Sequence, residues 1–131
     1  MDRPLLVGGV LTAVLALLAW TQVSRPAIAP CGLAAGIVVG LSGRPTDTGL
    51  IRGGKAGALG AGLFVGTVAL VGAYRYRVIG TDFAIDWALF TWFAMIVLIL
   101  PLFAIEGSVA APAAAWTRRS LRNAMRENTL E

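Results

Sequence analysis

Histidine is missing from all 131 residues, and cysteine occurs once, at Cys31. The first absence excludes His-based acid–base catalysis and His-ligated metals. The second excludes an internal disulfide framework. Charge is scarce as well: 14% of residues are charged, against about 25% in a typical soluble domain. Apolar residues make up 57%, and the mean hydropathy is +0.77. A chain this short buries only about two-thirds of its surface, so a water-soluble globule could not hide so many apolar groups. Disorder is excluded too, because it needs low hydrophobicity and high net charge. Lipid is the solvent that suits the composition.

Four stretches are apolar enough to cross a hydrocarbon core: residues 5–23, 27–42, 56–74 and 87–105. The first carries no charge, and its nineteen residues would rise roughly 28 Å as a helix, close to the core thickness of about 30 Å. The second is short for a span. None alternates apolar and polar residues as a membrane strand would, and helices satisfy every backbone group internally. The expected fold is therefore all-α, an integral membrane four-helix bundle. Residues 1–116 form its transmembrane domain and residues 117–131 a cytoplasmic basic tail. Ser24, Arg25 and Pro26 join the first two spans, Gly43 to Lys55 forms the longest interior loop, and Arg75 to Asp86 joins the last two. Pro101 should kink the fourth span.

The first span is read as a retained anchor. Its apolar run is long for a signal peptide, and Pro30 follows the small-residue Ala27-Ile28-Ala29 at the place of cleavage. If all four stretches cross, Arg3, Arg44, Arg52, Lys55, Arg118, Arg119, Arg122 and Arg126 share one side, against Arg25, Arg75 and Arg77 on the other. The positive-inside rule then puts the richer side, and both termini, in the cytoplasm. Trp20, Tyr74, Tyr76 and Trp87 fall at the outer interface, where amphipathic rings favour the headgroup zone.

Small residues recur every fourth position. The second span carries Gly32, Gly36 and Gly40; the third carries Gly54, Ala58, Gly62 and Gly66, with Gly53 and Gly57 one residue earlier. Four-residue spacing places each set on one helix face. Lipid already solvates Leu and Val, so helices associate through close backbone approach at small residues. The expectation is a glycine-zipper hairpin in which spans two and three pack groove to groove, with spans one and four outside. The same grooves would serve equally between protomers. On this reading Gly36→Leu disrupts packing and Val39→Leu is nearly silent.

Candidate chemistry is sparse. Gly49 to Ala56, GLIRGGKA, nearly spells a P-loop, but Ala56 stands where Ser or Thr must reach Mg²⁺, and no strand precedes it. Arg44, Arg52 and Lys55 fit better as contacts to lipid headgroups at the cytoplasmic boundary. Asp82 and Asp86 read as carboxylates at the positive end of the fourth helix, with Thr81 or Asp82 as its cap. Glu106 reads as a solvated interfacial group, and Cys31 as a small apolar side chain. In the tail, Leu121, Ala124 and Met125 share one side, among Arg118, Arg119, Arg122 and Arg126. That is a weak basic amphipathic helix able to contact anionic lipid. The arginines are spread over span boundaries rather than gathered on a groove-reading element, which argues against nucleic acid as a partner. Only Thr12, Thr67 and Thr91 are polar well inside the spans. A proton relay or ion-coupled carrier needs more than that.

The segment Gly32-Leu-Ala-Ala-Gly36 through Gly53-Gly-Lys-Ala-Gly57-Ala-Leu-Gly60-Ala-Gly62 resembles small uncharacterised glycine-rich four-span membrane proteins of halophilic archaea, over about thirty residues. The resemblance implies an archaeal membrane protein and brings no catalytic residues. The sequence thus leads to a multispan protein of the cell membrane, non-enzymatic and without cofactor or metal. Its role would be that of a structural or accessory subunit, with lipids and either a second copy or a membrane subunit as partners. A small oligomeric, holin-like pore is the first alternative, and a membrane enzyme subunit the second.

Overall fold

The computed structural model describes residues 3–42 and 46–130. About 95% of the described residues are helical, and no strand occurs among them. Four α-helices follow one another: α1 (Arg3–Leu18), α2 (Gly32–Leu41), α3 (Thr46–Tyr76) and α4 (Thr81–Leu130). Three helical stretches, Arg3–Val23, Gly49–Tyr76 and Thr81–Leu130, are long and apolar enough to cross a membrane, whereas Pro26–Leu41 is shorter.

The link between α1 and α2 is itself helical. A π turn (Ala19–Val23) ends at extended Ser24, whose amide donates to the Ala19 carbonyl at 3.1 Å. A 3₁₀ segment (Arg25–Cys31) follows, with Pro26 and Pro30 in it. Proline has no N–H, and the Pro30 ring would strike the carbonyl four residues back in an α-helix. The looser α geometry therefore starts only at Gly32. Because 3₁₀ turns rise about 2.0 Å per residue, the seven residues before α2 add about 14 Å to the roughly 15 Å of α2 itself. Those prolines lengthen what is otherwise a short apolar helix.

Contacts fix the directions of the helices. Gly9 meets Leu59, Thr12 meets Gly60, and Trp20 meets Phe64, so α1 and α3 run parallel. Gly53 meets Gly107, Gly57 meets Phe103, and Gly72 meets Trp87, so α3 and α4 run antiparallel. The chain between α1 and α3 consequently returns to the end where it began. That end holds the starts of α1 and α3 and the last part of α4. At the opposite end α3 passes into α4 through a tight turn. Ile79 donates to the Tyr76 carbonyl at 3.0 Å there, and Gly80 takes φ +147°, a conformation suited to glycine.

One core cluster is Ala13, Ala16, Ala61, Phe64, Val65 and Phe103, with Ile28 of the 3₁₀ segment inserted among them. A second cluster of Leu5, Ala35, Val39, Ala56 and Ala111 lies toward the shared end. Side chains facing away from both are apolar: Leu70, Phe90 and Leu98 are each more than 70% exposed.

Several boundaries differ from the sequence reading. The expected loop from Gly43 to Lys55 is helical from Thr46 on, so Arg52 and Lys55 belong to α3; Gly43, Arg44 and Pro45 lie outside the described residues. The fourth span is not a separate helix from the tail. At 50 residues, α4 is roughly 75 Å long and runs through Pro101 and Pro112. Its last ten described residues are all exposed. Val39 is buried at 3% exposure, so it is no silent position.

Candidate functional site

Helices α2, α3 and α4 cross near the shared end. Gly36, Gly53 and Gly107 come together there. A methyl group built on Gly36 would fall on the Gly107 carbonyl oxygen and 2.6 Å from the Ala110 Cβ; one built on Gly53 or on Gly107 would fall on the other's carbonyl. No side chain larger than hydrogen fits at any of the three. One turn further along, Gly40 lies against Ala111 and Ala114; one turn back, Gly32 lies against Phe103 and Glu106. Interhelical approach this close is the geometry in which dispersion and Cα–H···O contacts hold membrane helices together.

The glycines of α2 therefore meet α4, not α3. This corrects the expected groove-to-groove hairpin of the second and third spans, and its cause is a third small-residue row, Gly107, Ala111 and Ala115, all buried on α4. Four-residue spacing in the run after Glu106 was the signal for it. On α3, Gly54 touches the Ser108 hydroxyl, and Ala58 is half-buried. A methyl group built on Gly62 or Gly66 would meet nothing within 4 Å among the described residues beyond its own helix turn, so these two share no face with Gly53 and Gly57.

Polar groups accompany the crossing. The Glu106 side chain is half-buried, with Oε2 buried against the Gly32 backbone at the start of α2. It is thus less solvated than the sequence suggested. Cys31 precedes that helix and gives it no side-chain cap; its Sγ instead lies 3.4 Å from the Ala27 carbonyl, as donor. The Gly32 amide donates to the Pro30 carbonyl, and Glu106 Oε2 has no hydrogen-bond partner among the described residues, so Glu106 lies beside the start of α2 without capping it. Arg52 is buried at 9% exposure, whereas Lys55 is exposed. Of the tail arginines, Arg118 is half-buried and Arg119, Arg122 and Arg126 are exposed; Arg44 lies outside the described residues.

Among the described residues, no group of three or more Cys, Asp or Glu side chains is placed to hold a metal ion. Thr12 is fully buried beside Gly60, and Thr67 donates to the Leu63 carbonyl at 2.8 Å. Asp82 lies in the first turn of α4. What the crossing can do is hold three helices in a fixed relation. No family model, curated protein or solved structure matches the chain.

Proposed function

We propose that the chain is a four-span protein of the cytoplasmic membrane with both termini in the cytoplasm, serving as a non-enzymatic structural or accessory subunit. The observation that carries this reading is the apolar outer surface of three long helices wrapped around a backbone-to-backbone glycine crossing. Such a surface is stable against acyl chains and not against water. The 31 residues of α3 rise about 46 Å, close to the 40–45 Å of a bilayer with its headgroup zones. Arg3, Arg52, Lys55 and the tail arginines gather at one end, which supports the cytoplasmic assignment of that end. Kinship with glycine-rich archaeal four-span proteins would fit the same reading.

One observation favours the oligomeric pore as a second reading: Gly62 and Gly66 leave a bare strip on α3 that a further copy could cover. Liposomes reconstituted with the purified chain separate the two. A scaffold leaves a trapped dye and an ion gradient intact and co-purifies with a membrane partner. A pore discharges them without one. Catalysis as part of a membrane enzyme has no such observation behind it.

A further inference from the structure

At the end opposite the crossing, α1 stops short of α3 and α4 and leaves a groove of about 610 Å³. Leu17, Val68 and Val71 give it an apolar lining, to which Trp20 and Trp87 also contribute. Trp87 is built in: its indole ring lies on the bare backbone of Gly72, where any Cβ would collide with it, and it packs against Tyr76 at 5.1 Å. Trp20 is held edge-on by Phe64 at 6.2 Å. Among the described residues Arg75 is the charged side chain lining the groove, and it is exposed. Asp82 and Asp86 belong to the same end of the bundle, but neither lines it. A mostly apolar cleft of several hundred Å³ with a few oriented polar groups is the usual form of a small-molecule site. Aromatic rings mark the level of the headgroups.

We propose that this groove binds an anionic phospholipid, one acyl chain lying against Leu17, Val68 and Val71 and the phosphodiester meeting the Arg75 guanidinium. The assignment rests on the membrane reading above. Charge complementarity selects the occupant. A phosphatidylglycerol headgroup brings only negative charge to Arg75, whereas phosphatidylcholine also brings a quaternary ammonium that Arg75 repels. Arg77 takes no part, since its guanidinium sits over the Tyr74 ring at 4.2 Å and is not among the groove residues.

The test uses the full chain carrying Trp92→Phe and Trp116→Phe, so that Trp20 and Trp87 are the only tryptophans. It is reconstituted in phosphatidylcholine vesicles doped with either brominated phosphatidylglycerol or brominated phosphatidylcholine. The brominated phosphatidylglycerol should reach half-maximal quenching at an about fivefold lower fraction, the ratio one basic residue near an anionic lipid supplies. Arg75→Gln should abolish the difference, Arg75→Lys and Arg77→Gln should keep it, and Val71→Phe should weaken quenching by both lipids. Equal quenching in the parent chain, or a preference that survives Arg75→Gln in a variant of unchanged helicity, overturns the proposal. Flotation of the same vesicles tells the two readings apart. A chain that floats without headgroup preference loses the groove alone, and a chain that does not float loses the membrane reading with it.

Discussion

Replacing Gly107 by alanine is the sharpest probe of the crossing. The added methyl would land on the Gly53 carbonyl, and the Gly57 Cα lies 3.5 Å from the same point. Both are backbone, so no side-chain rotation relieves the clash and α3 and α4 must separate. A gap of 0.5–1 Å forfeits about a quarter to a half of each dispersion contact across it, and overpacking of this kind costs about 1–3 kcal/mol. Against that, alanine is the better helix former by about 1 kcal/mol in a helix interior. The net loss should be about 0–2 kcal/mol for Gly107→Ala and similar for Gly53→Ala. Gly62→Ala, at a position with nothing within 4 Å among the described residues, has only the favourable term and should be neutral or slightly stabilising. Unfolding by sodium dodecyl sulfate in mixed micelles, followed by tryptophan fluorescence, measures all three. Equal midpoints for Gly107→Ala and Gly62→Ala would refute the reasoning. A drop in oligomer size confined to Gly62→Ala would instead point to a partner copy on that strip.

The neighbouring positions carry further expectations. Val39 is buried against the second cluster while Ile37 on the same helix is 46% exposed. In the same titration Val39→Ala should therefore cost about 1–3 kcal/mol through its cavity, and Ile37→Ala, which lipid can fill, close to nothing; the reverse order would remove α2 from its place. Glu106→Ala removes a buried carboxylate oxygen that has no hydrogen-bond partner among the described residues, which relieves a cost of about 1–3 kcal/mol. The midpoint in the same titration should hold or rise, and a clear fall would refute this. For topology, cysteines at Thr48 and Thr81 on a Cys31→Ala background should label from opposite sides with an impermeant thiol reagent. Labelling from one side would sink the four-span assignment.

The extent of legibility follows from which physics each feature obeys. Hydropathy alone gives the helical class and the apolar stretches, because a bilayer imposes backbone satisfaction locally. Helix ends were less legible. Residues 46–55 look like a loop by composition, yet they are helical because Gly53 and Gly54 pack on Gly107 and Ser108, a tertiary cause invisible in the local sequence. The same holds for α4 beyond Ile105, where the run GSVAAPAAAW is poor in hydropathy but is the surface that α2 and α3 both need.

The glycine rows show why spacing finds a face and not its partner. Successive residues advance by about 100° in an α-helix, so a four-residue step overshoots a full turn by about 40°. From Gly54 to Gly62 the drift is about 80° and to Gly66 about 120°, enough to carry the row off the α4 contact and out to open surface. Over the two steps from Gly32 to Gly40 the drift is the same, about 80°, but there α4 follows it with Gly107, Ala111 and Ala114 as the helices cross. A small-residue row therefore specifies packing over about two turns, and only where a second helix presents a row drifting in step with it. Two such rows in a sequence do not choose each other when a third is present. Gly107 settles the choice here, since α2 and α3 both approach its carbonyl and neither needs the other's glycines.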